Sequence, residues 1–274
     1  MSHNALAITG CGWLGLELAL QLKQQGWQVS GCSRNPETLA TLDNAGVTPI
    51  KLDLGMALDC DNPQALFCCD TLLINLPPGR HQQDNRYSDR LQLLCDAAKA
   101  HGVTQALFVS STAVYQDGSD YPVVDEGSPL ADNPRALTML DGEAVIEASF
   151  ERWMILRPGG LVGGQRHPGR FLAGQQHLAG AAAPVNLVHR DDVIAAIKLL
   201  LSQPQWGEIF NLAAPKWPSR GEFYPAAALK LGLTPPSFSD QRQTGKRVSS
   251  AKLQSLGFEF SYPEPLSMPP LTNA

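Results

Sequence analysis

The chain has 274 residues, 43% of them hydrophobic and 17% charged, with a formal net charge of −5 at pH 7. Such a composition fills a core and excludes a disordered chain. The acidic balance speaks against nucleic acid and acidic membrane surfaces, both of which require a cationic face. No apolar run reaches the ~18 residues that would span a bilayer, so no membrane partner is expected. The opening stretch MSHNALAITG enters a strand pattern at once and lacks the cationic and apolar regions of a signal peptide. All six cysteines (Cys11, Cys32, Cys60, Cys68, Cys69 and Cys95) fall in the first 95 residues, with no C-x-x-C pair and no histidine at ligand spacing. They read as reduced thiols of a cytoplasmic protein, and no metal site is expected.

In chain order, ALAITG (5–10) reads as a buried strand and residues 12–26 as a helix closed by Gly26. WQVSGCS (27–33) is a second strand. Asn35, Pro36 and Glu37 then supply an N-cap, a first-turn proline and a first-turn acid to a helix that Gly46 ends. TPIKLDL (48–54) and DTLLINL (70–76) are the next strands. Residues 84–100 form a helix with Tyr87, Leu91, Leu94, Cys95 and Ala98 on one face. QALFVSS (105–111) is a fifth strand, followed by a polar loop with three prolines. The helix after Pro134 puts Leu137, Leu140, Ala144 and Ala148 on one face, and WMILRP (153–158) is a sixth strand. Further on, 191–203 is a helix and EIFNLA (208–213) a strand.

Alternating strands and helices with continuous Val/Ile/Leu runs predict an α/β, doubly wound parallel sheet of the Rossmann type. The expected layout is a dinucleotide domain at 1–158 completed by 185–213. Residues 159–184, rich in Gly, Ala and His, and the proline-rich 214–274 would build a small substrate lobe.

Gly10-x-Gly12-x-x-Gly15 stands on the first strand–helix turn. There Gly10 permits the tight turn, Gly12 lets a pyrophosphate approach the backbone, and Gly15 lets helix and strand pack closely. Trp13 and Leu14 complete the loop, and the helix start favours phosphate charge. A NAD site would put an acid about 20 residues downstream, but Cys32, Ser33 and Arg34 occupy that zone. Arg34 can hold a 2′-phosphate, with Ser33 adding a hydroxyl, so NADP is expected ahead of NAD. Asp53 could meet the adenine edge.

These features, with SSTAVY (110–115), LRPGGLVG (156–163), NLVHRDDV (186–193) and GKRVSSAKLQSLGFEF (245–260), resemble the extended short-chain dehydrogenase/reductases. This is the NAD-dependent epimerase/dehydratase family, and the chain looks more like its atypical, YeeZ-like branch. The resemblance implies a catalytic Ser, a proton-transferring Tyr, and a Lys four residues later. Ser111 matches the serine. Counting back from Glu143, however, Arg135 takes the tyrosine's place and Met139 the lysine's. Arginine cannot act as a general base near neutral pH, and methionine carries no charge to lower a neighbour's pKa. Tyr115, Tyr121, His167, Arg170 and His189 are conceivable substitutes. Against that, Tyr115 also reads as a packed aromatic, and His189 with Asp192 as loop and helix-cap residues.

Two functions are therefore carried forward. One is an NADP(H)-binding oxidoreductase or epimerase-like protein acting on a small polar molecule such as a nucleotide sugar. The other is a non-catalytic NADP(H) sensor. The resemblance also implies a homodimer formed through residues 84–100 and 136–150.

Overall fold

The computed structural model describes residues 4–79, 87–164 and 166–269. The first part of the chain forms β1 (Ala5–Thr9), α1 (Gly15–Gln24), β2 (Gln28–Ser33), α2 (Pro36–Asn44), β3 (Thr48–Leu54), β4 (Leu58–Cys60), α3 (Pro63–Leu66), β5 (Thr71–Ile74), α4 (Tyr87–Ala100) and β6 (Gln105–Val109). The middle part forms β7 (Val123–Val124), α5 (Pro134–Ser149), β8 (Arg152–Pro158), β9 (Gly160–Val162), β10 (Leu187–His189), α6 (Arg190–Ser202) and β11 (Glu208–Leu212). The last part adds α7 (Arg220–Leu229), β12 (Arg247–Val248) and α8 (Ala251–Ser255). Residues 84–86, the expected start of α4, lie outside the described residues.

Strand order in the main sheet is β11-β8-β6-β5-β1-β2-β3-β4. β1 pairs in parallel with both β2 and β5, β2 with β3, β5 with β6, and β6 with β8. The central strands are buried on both faces: β5 is buried throughout, and β1 and β6 everywhere but their first residue. This explains their unbroken apolar sequence. The expected doubly wound sheet is therefore present, with one addition. β4 runs antiparallel to β3 at the edge, with Leu52 opposite Cys60. Three residues carry too short a pattern for such a strand to be read from sequence. The chain order reverses between β1 and β5, which is where α/β sheets open a crevice at their carboxyl ends.

Two compact units can be distinguished: residues 1–110, 137–156 and 205–209 form one, and residues 111–136, 157–204 and 210–274 the other. In the first, α2 is built as its sequence predicts: the Asn35 side chain accepts from the Glu37 amide, with Pro36 in the first turn. α5 needs a correction. The predicted face of Leu137, Leu140, Ala144 and Ala148 is not the core face. Ala136, Met139, Gly142, Glu143 and Ile146 are buried, while Leu137 is 46% exposed. Gly142 decides the orientation, because a Cβ there would lie 2.9 Å from the Tyr87 ring and 3.0 Å from a Leu91 methyl. A close helix approach through glycine outweighs the stronger leucine pattern.

In the second unit, β9 pairs with β10 and β7 with β12, both in parallel. Val162, Val185, Leu187, Ala214, Phe223, Ala227 and Met268 form its apolar cluster. α7 begins with a capping box, in which Ser219 accepts from the Glu222 amide and the Glu222 carboxylate accepts from the Ser219 amide. Asp192 on α6 accepts from the amides of Ser261 (2.7 Å) and Tyr262 (3.2 Å) and so fixes the C-terminal segment.

Candidate cofactor site

A groove of about 300 Å³ opens at the carboxyl ends of the first unit's strands. Gly10, Cys11 and Gly12 from the turn after β1 line it, as do Cys32, Ser33 and Arg34 at the end of β2. Leu52, Asp53 and Leu54 from β3, then Leu76 to Gly79 after β5, and finally Tyr87, Arg90 and Leu91 of α4 complete its wall.

The three motif glycines answer to different constraints. Gly10 has φ +96°, and a Cβ on it would lie 2.3 Å from the Asn75 carbonyl oxygen. A Cβ on Gly15 would lie 2.4 Å from the Gly10 carbonyl oxygen. Both are glycine because the protein's own backbone fills the space. Gly12 has neither restriction: nothing lies within 4 Å of its would-be Cβ, and its φ is not in the left-handed region. The open space beside Gly12 faces the groove. A dinucleotide pyrophosphate approaching the backbone is what a side chain there would obstruct. The residues present therefore fit the cofactor.

The turn is held firmly. Asn75 donates from its side-chain nitrogen to the Gly10 carbonyl at 3.1 Å, and the Cys11 amide donates to the Cys32 carbonyl at 2.8 Å. Gly31 in β2 leaves room for Cys11, whose Sγ would be 2.8 Å from a Cβ at that position. Burial pushes the Cys11 thiol up to about 12 and raises Cys32 as well, so both pack as neutral thiols. No side chain caps α1, unlike α2, α6 and α7. Its start is thus left without a protein acceptor of the usual kind and suits phosphate.

At the far end, Arg34 meets Asp53 at 3.5 Å, with side-chain exposures of 75% and 52%. A pair this exposed contributes about 0–1 kcal/mol. A phosphate making charge-assisted bonds at ~1.5–3 kcal/mol can therefore draw the guanidinium away from it. The Ser33 hydroxyl accepts from the Asn35 amide at 3.1 Å and sits at the same corner. Among the other expected loop residues, Leu14 is buried in the core, and neither it nor Trp13 nor Gly15 lines the groove. Sequence reasoning passed over the wall made by Leu76 to Gly79, Tyr87 and Arg90. Pro77-Pro78-Gly79 directly after a strand was the available signal.

The expected substitutes for a proton relay are mostly committed elsewhere. In the second unit, Tyr115 is buried; its hydroxyl donates to Asn211 Oδ1 at 2.8 Å and accepts from Arg157 at 2.7 Å. Burial raises its pKa, and the Arg157 charge only partly opposes this. Tyr115 is thus a packed, neutral bracing residue. The buried His167 accepts the Gly169 amide, and Arg170 is exposed. Tyr121 is half-buried, with φ +55°. His189 caps α6, its Nδ1 accepting the Asp191 amide at 3.3 Å, and its ring lies 4.0 Å from that of Tyr262. Because Nδ1 accepts an amide, the contact with the Asp191 carboxylate at 3.5 Å is not an ion pair of a charged imidazole. Burial lowers the His189 pKa in the same sense.

Ser111 caps a short 3-10 turn at Thr112–Val114, accepting from the Ala113 amide at 3.1 Å. Its hydroxyl proton has no acceptor among the described residues. Arg135 is exposed and Met139 is only 6% exposed. In the first unit, Ser110 donates to the buried Glu143 carboxylate. No cluster of three or more His, Cys, Asp or Glu suited to a metal occurs among the described residues. No helix there is long and apolar enough to cross a membrane.

A family model described as NAD(P)H-binding matches residues 10–204. The chain belongs to that NAD(P)H-binding family. Protein YeeZ of Escherichia coli (strain K12) is 39% identical over 279 residues, covering 96% of this chain and 98% of that one. A putative NAD-dependent epimerase/dehydratase from Methylobacillus flagellatus superposes with a TM-score of 0.76 at 26% identity, covering 97% of this chain and 96% of that one. MoeE5 in complex with UDP-glucose and NAD gives a TM-score of 0.77 at 21% identity, covering 96% of each. The chain thus shares the fold of the epimerase/dehydratase and short-chain dehydrogenase/reductase proteins, and NAD(P) binding is the property of its family.

Proposed function

We propose that this family member binds NADP(H) in preference to NAD(H) and is an oxidoreductase or epimerase-like protein without the Tyr-x-x-x-Lys relay. Gly12 carries the binding half of this reading, since the fold gives no reason for a glycine there. Arg34 carries the choice of cofactor: it lines the groove where the adenosine ribose would lie, and its pairing with Asp53 is weak. When bound, the nicotinamide would supply a hydride. The chain's own part is to hold the phosphates and, through Ser111, to orient a hydroxyl or carbonyl of substrate. A small polar molecule of the nucleotide-sugar class suits the reading, as MoeE5 with its bound UDP-glucose and NAD shares the fold. The test is calorimetric titration with NADPH and NADH, followed by a search for sugar nucleotides that change the redox state of bound NADPH. Stronger binding of NADH would overturn the NADP assignment.

The second reading, a non-catalytic NADP(H) sensor, gains from three observations: Arg135 is exposed, Met139 is packed, and Tyr115 is fully bonded. Bound NADPH that no sugar nucleotide oxidises would favour it. In either case we infer a cytoplasmic protein, in keeping with six free cysteines. We further infer a homodimer through the outward face of α4 and α5. Leu93 on α4 and Leu137 on α5 are 37% and 46% exposed.

A further inference from the structure

Among the described residues, the groove wall contains three charged ones, Arg34, Asp53 and Arg90. Arg34 and Asp53 face each other at 3.5 Å and largely offset one another. Arg90, in the first turn of α4, has no carboxylate partner among the described residues. It is held in place all the same. One terminal nitrogen donates to the Pro78 carbonyl at 3.0 Å, and the guanidinium lies 5.9 Å from the centre of the Tyr87 ring. The Tyr87 hydroxyl in turn donates to the Leu76 carbonyl at 2.7 Å. Both helix residues thus grip the same short wall, Leu76 to Pro78, from one side. That wall touches the glycine turn from the other: a Cβ on Gly10 would lie 3.3 Å from a Leu76 methyl.

We propose that Arg90 is a fixed counter-ion for the cofactor's pyrophosphate, closing the groove opposite the Gly10–Gly12 turn. This rests on the dinucleotide reading above and deepens it. A guanidinium has five N–H donors, and the bond to Pro78 uses one, leaving a planar fork suited to phosphate oxygens. The charge balance points the same way. A bound NADP would take Arg34 for its 2′-phosphate, leaving the pyrophosphate's two negative charges to the turn amides and the helix start. The latter is equivalent to only about half a positive charge. Among the described residues, Arg90 is the one that supplies a full positive charge at this end. Its bond to Pro78 and its contact with Tyr87 mean that little side-chain freedom is lost when the phosphate arrives.

The two arginines would then read different parts of one ligand, which makes them separable. Adenosine 2′-monophosphate carries only the Arg34 target, and ADP only the Arg90 target. Calorimetry on wild type, Arg90→Gln, Arg90→Lys and Arg34→Ala with these two probes, NADH and NADPH, tests the assignment. Arg90→Gln is expected to weaken ADP, NADH and NADPH by a common factor of at least tenfold, leaving adenosine 2′-monophosphate within about threefold of wild type. Arg90→Lys should recover part of the loss, and Arg34→Ala should show the converse pattern. Arg90→Gln that weakens all four probes together, with no recovery in the lysine variant, would mean that Arg90 merely stiffens the wall, and the proposal falls. Unchanged ADP and NADPH affinity in Arg90→Gln, with Arg34→Ala still selective for NADPH, sinks this inference and leaves the cofactor reading standing. Wild type that binds neither dinucleotide removes both.

Discussion

The glycine turn after β1 and helix α5 differ in what accounts for their residues. In the turn, Gly10 and Gly15 are fully explained by backbone atoms 2.3 and 2.4 Å from where a Cβ would be, and Gly12 is explained by nothing in the chain. On α5, packing accounts for Ala136, Met139, Gly142 and Ile146, while Leu137, Leu140, Ala144 and Ala148 point away from the core. In both places the residues that the fold does not require are the ones the proposals rest on: Gly12 for the dinucleotide, and the outward face of α5 for the homodimer. Met139 belongs to the other category. Its burial is a sufficient reason for a methionine.

The sharpest way to break the contrast within the turn is to substitute both kinds of glycine. Gly10→Ala combines a left-handed φ with a backbone clash and should cost at least about 3 kcal/mol of stability, measured by denaturant unfolding. Gly12→Val should stay within about 1 kcal/mol of wild type and yet lose dinucleotide affinity by a factor of about a hundred or more, measured by calorimetry. Equal destabilisation by the two would erase the distinction.

A smaller effect is expected at Arg34. Arg34→Ala should weaken NADPH by about ten- to a hundredfold and leave NADH nearly unchanged, because only the 2′-phosphate contact is lost. Equal loss for both cofactors would remove Arg34 from the specificity argument.

On α5, Leu137→Asp should dissociate the proposed homodimer while leaving the monomer's stability within ~1 kcal/mol, since the side chain is 46% exposed. Burying one leucine at an interface contributes roughly 1.5–3 kcal/mol, so the monomer–dimer equilibrium seen by sedimentation should shift at least tenfold. A wild-type chain that sediments as a monomer would refute the outward-face reading.

The smallest effect concerns His189, whose folded-state pKa is lowered from 6.5 chiefly by burial, with Arg190 adding to the shift and Asp191 opposing it. Below pH 6.5 the unfolded chain takes up a proton that the native imidazole refuses, so stability is full above that pH and declines as pH falls through it. His189→Asn keeps an acceptor for the Asp191 amide and removes the titration. Between pH 7.5 and 5.5 the variant should lose less stability than wild type, by up to about 1 kcal/mol. His167, shifted in the same direction by burial, remains in both proteins and cancels from the difference, as does Asp192. Equal pH sensitivity in both would show that His189 does not titrate differently on folding.

The parts of the fold readable from sequence are those in which one short-range signal decides. β3 spans the expected 48–54, Asn35 caps α2, and the central strands lie where continuous apolar runs put them. β7, β9, β10 and β12, of three residues or fewer, exist through pairing partners distant in sequence, and β4, hairpinned on β3, is three residues long; a local pattern carries no trace of either. α7 contains Pro225, which disguised it. The orientation of α5 was lost because four leucine and alanine positions look more convincing than one glycine. In the groove, Gly10, Gly12, Ser33, Arg34 and Asp53 were readable from the motif. Tyr87 and Arg90 were not, since what brings them there is a helix start and a proline pair joined by two hydrogen bonds to backbone carbonyls.

The buried bond from Tyr115 to Asn211 spans 96 positions of sequence, and Asp192 waits for Ser261 and Tyr262. On a ribosome that extends the chain by roughly 5–20 residues each second, the tyrosine hydroxyl stays without its amide acceptor for several seconds after it emerges. The α6 carboxylate is without its amides until almost the last residues are made. β1, β2, β3 and β5 can pair with one another long before that, because these pairings lie within the first 74 residues. The glycine turn they support is therefore assembled early in synthesis, and the bracing of Tyr115 is among the last events. A nascent chain stalled after residue 200 should accordingly hold the cofactor turn while still exposing Tyr115 to modification.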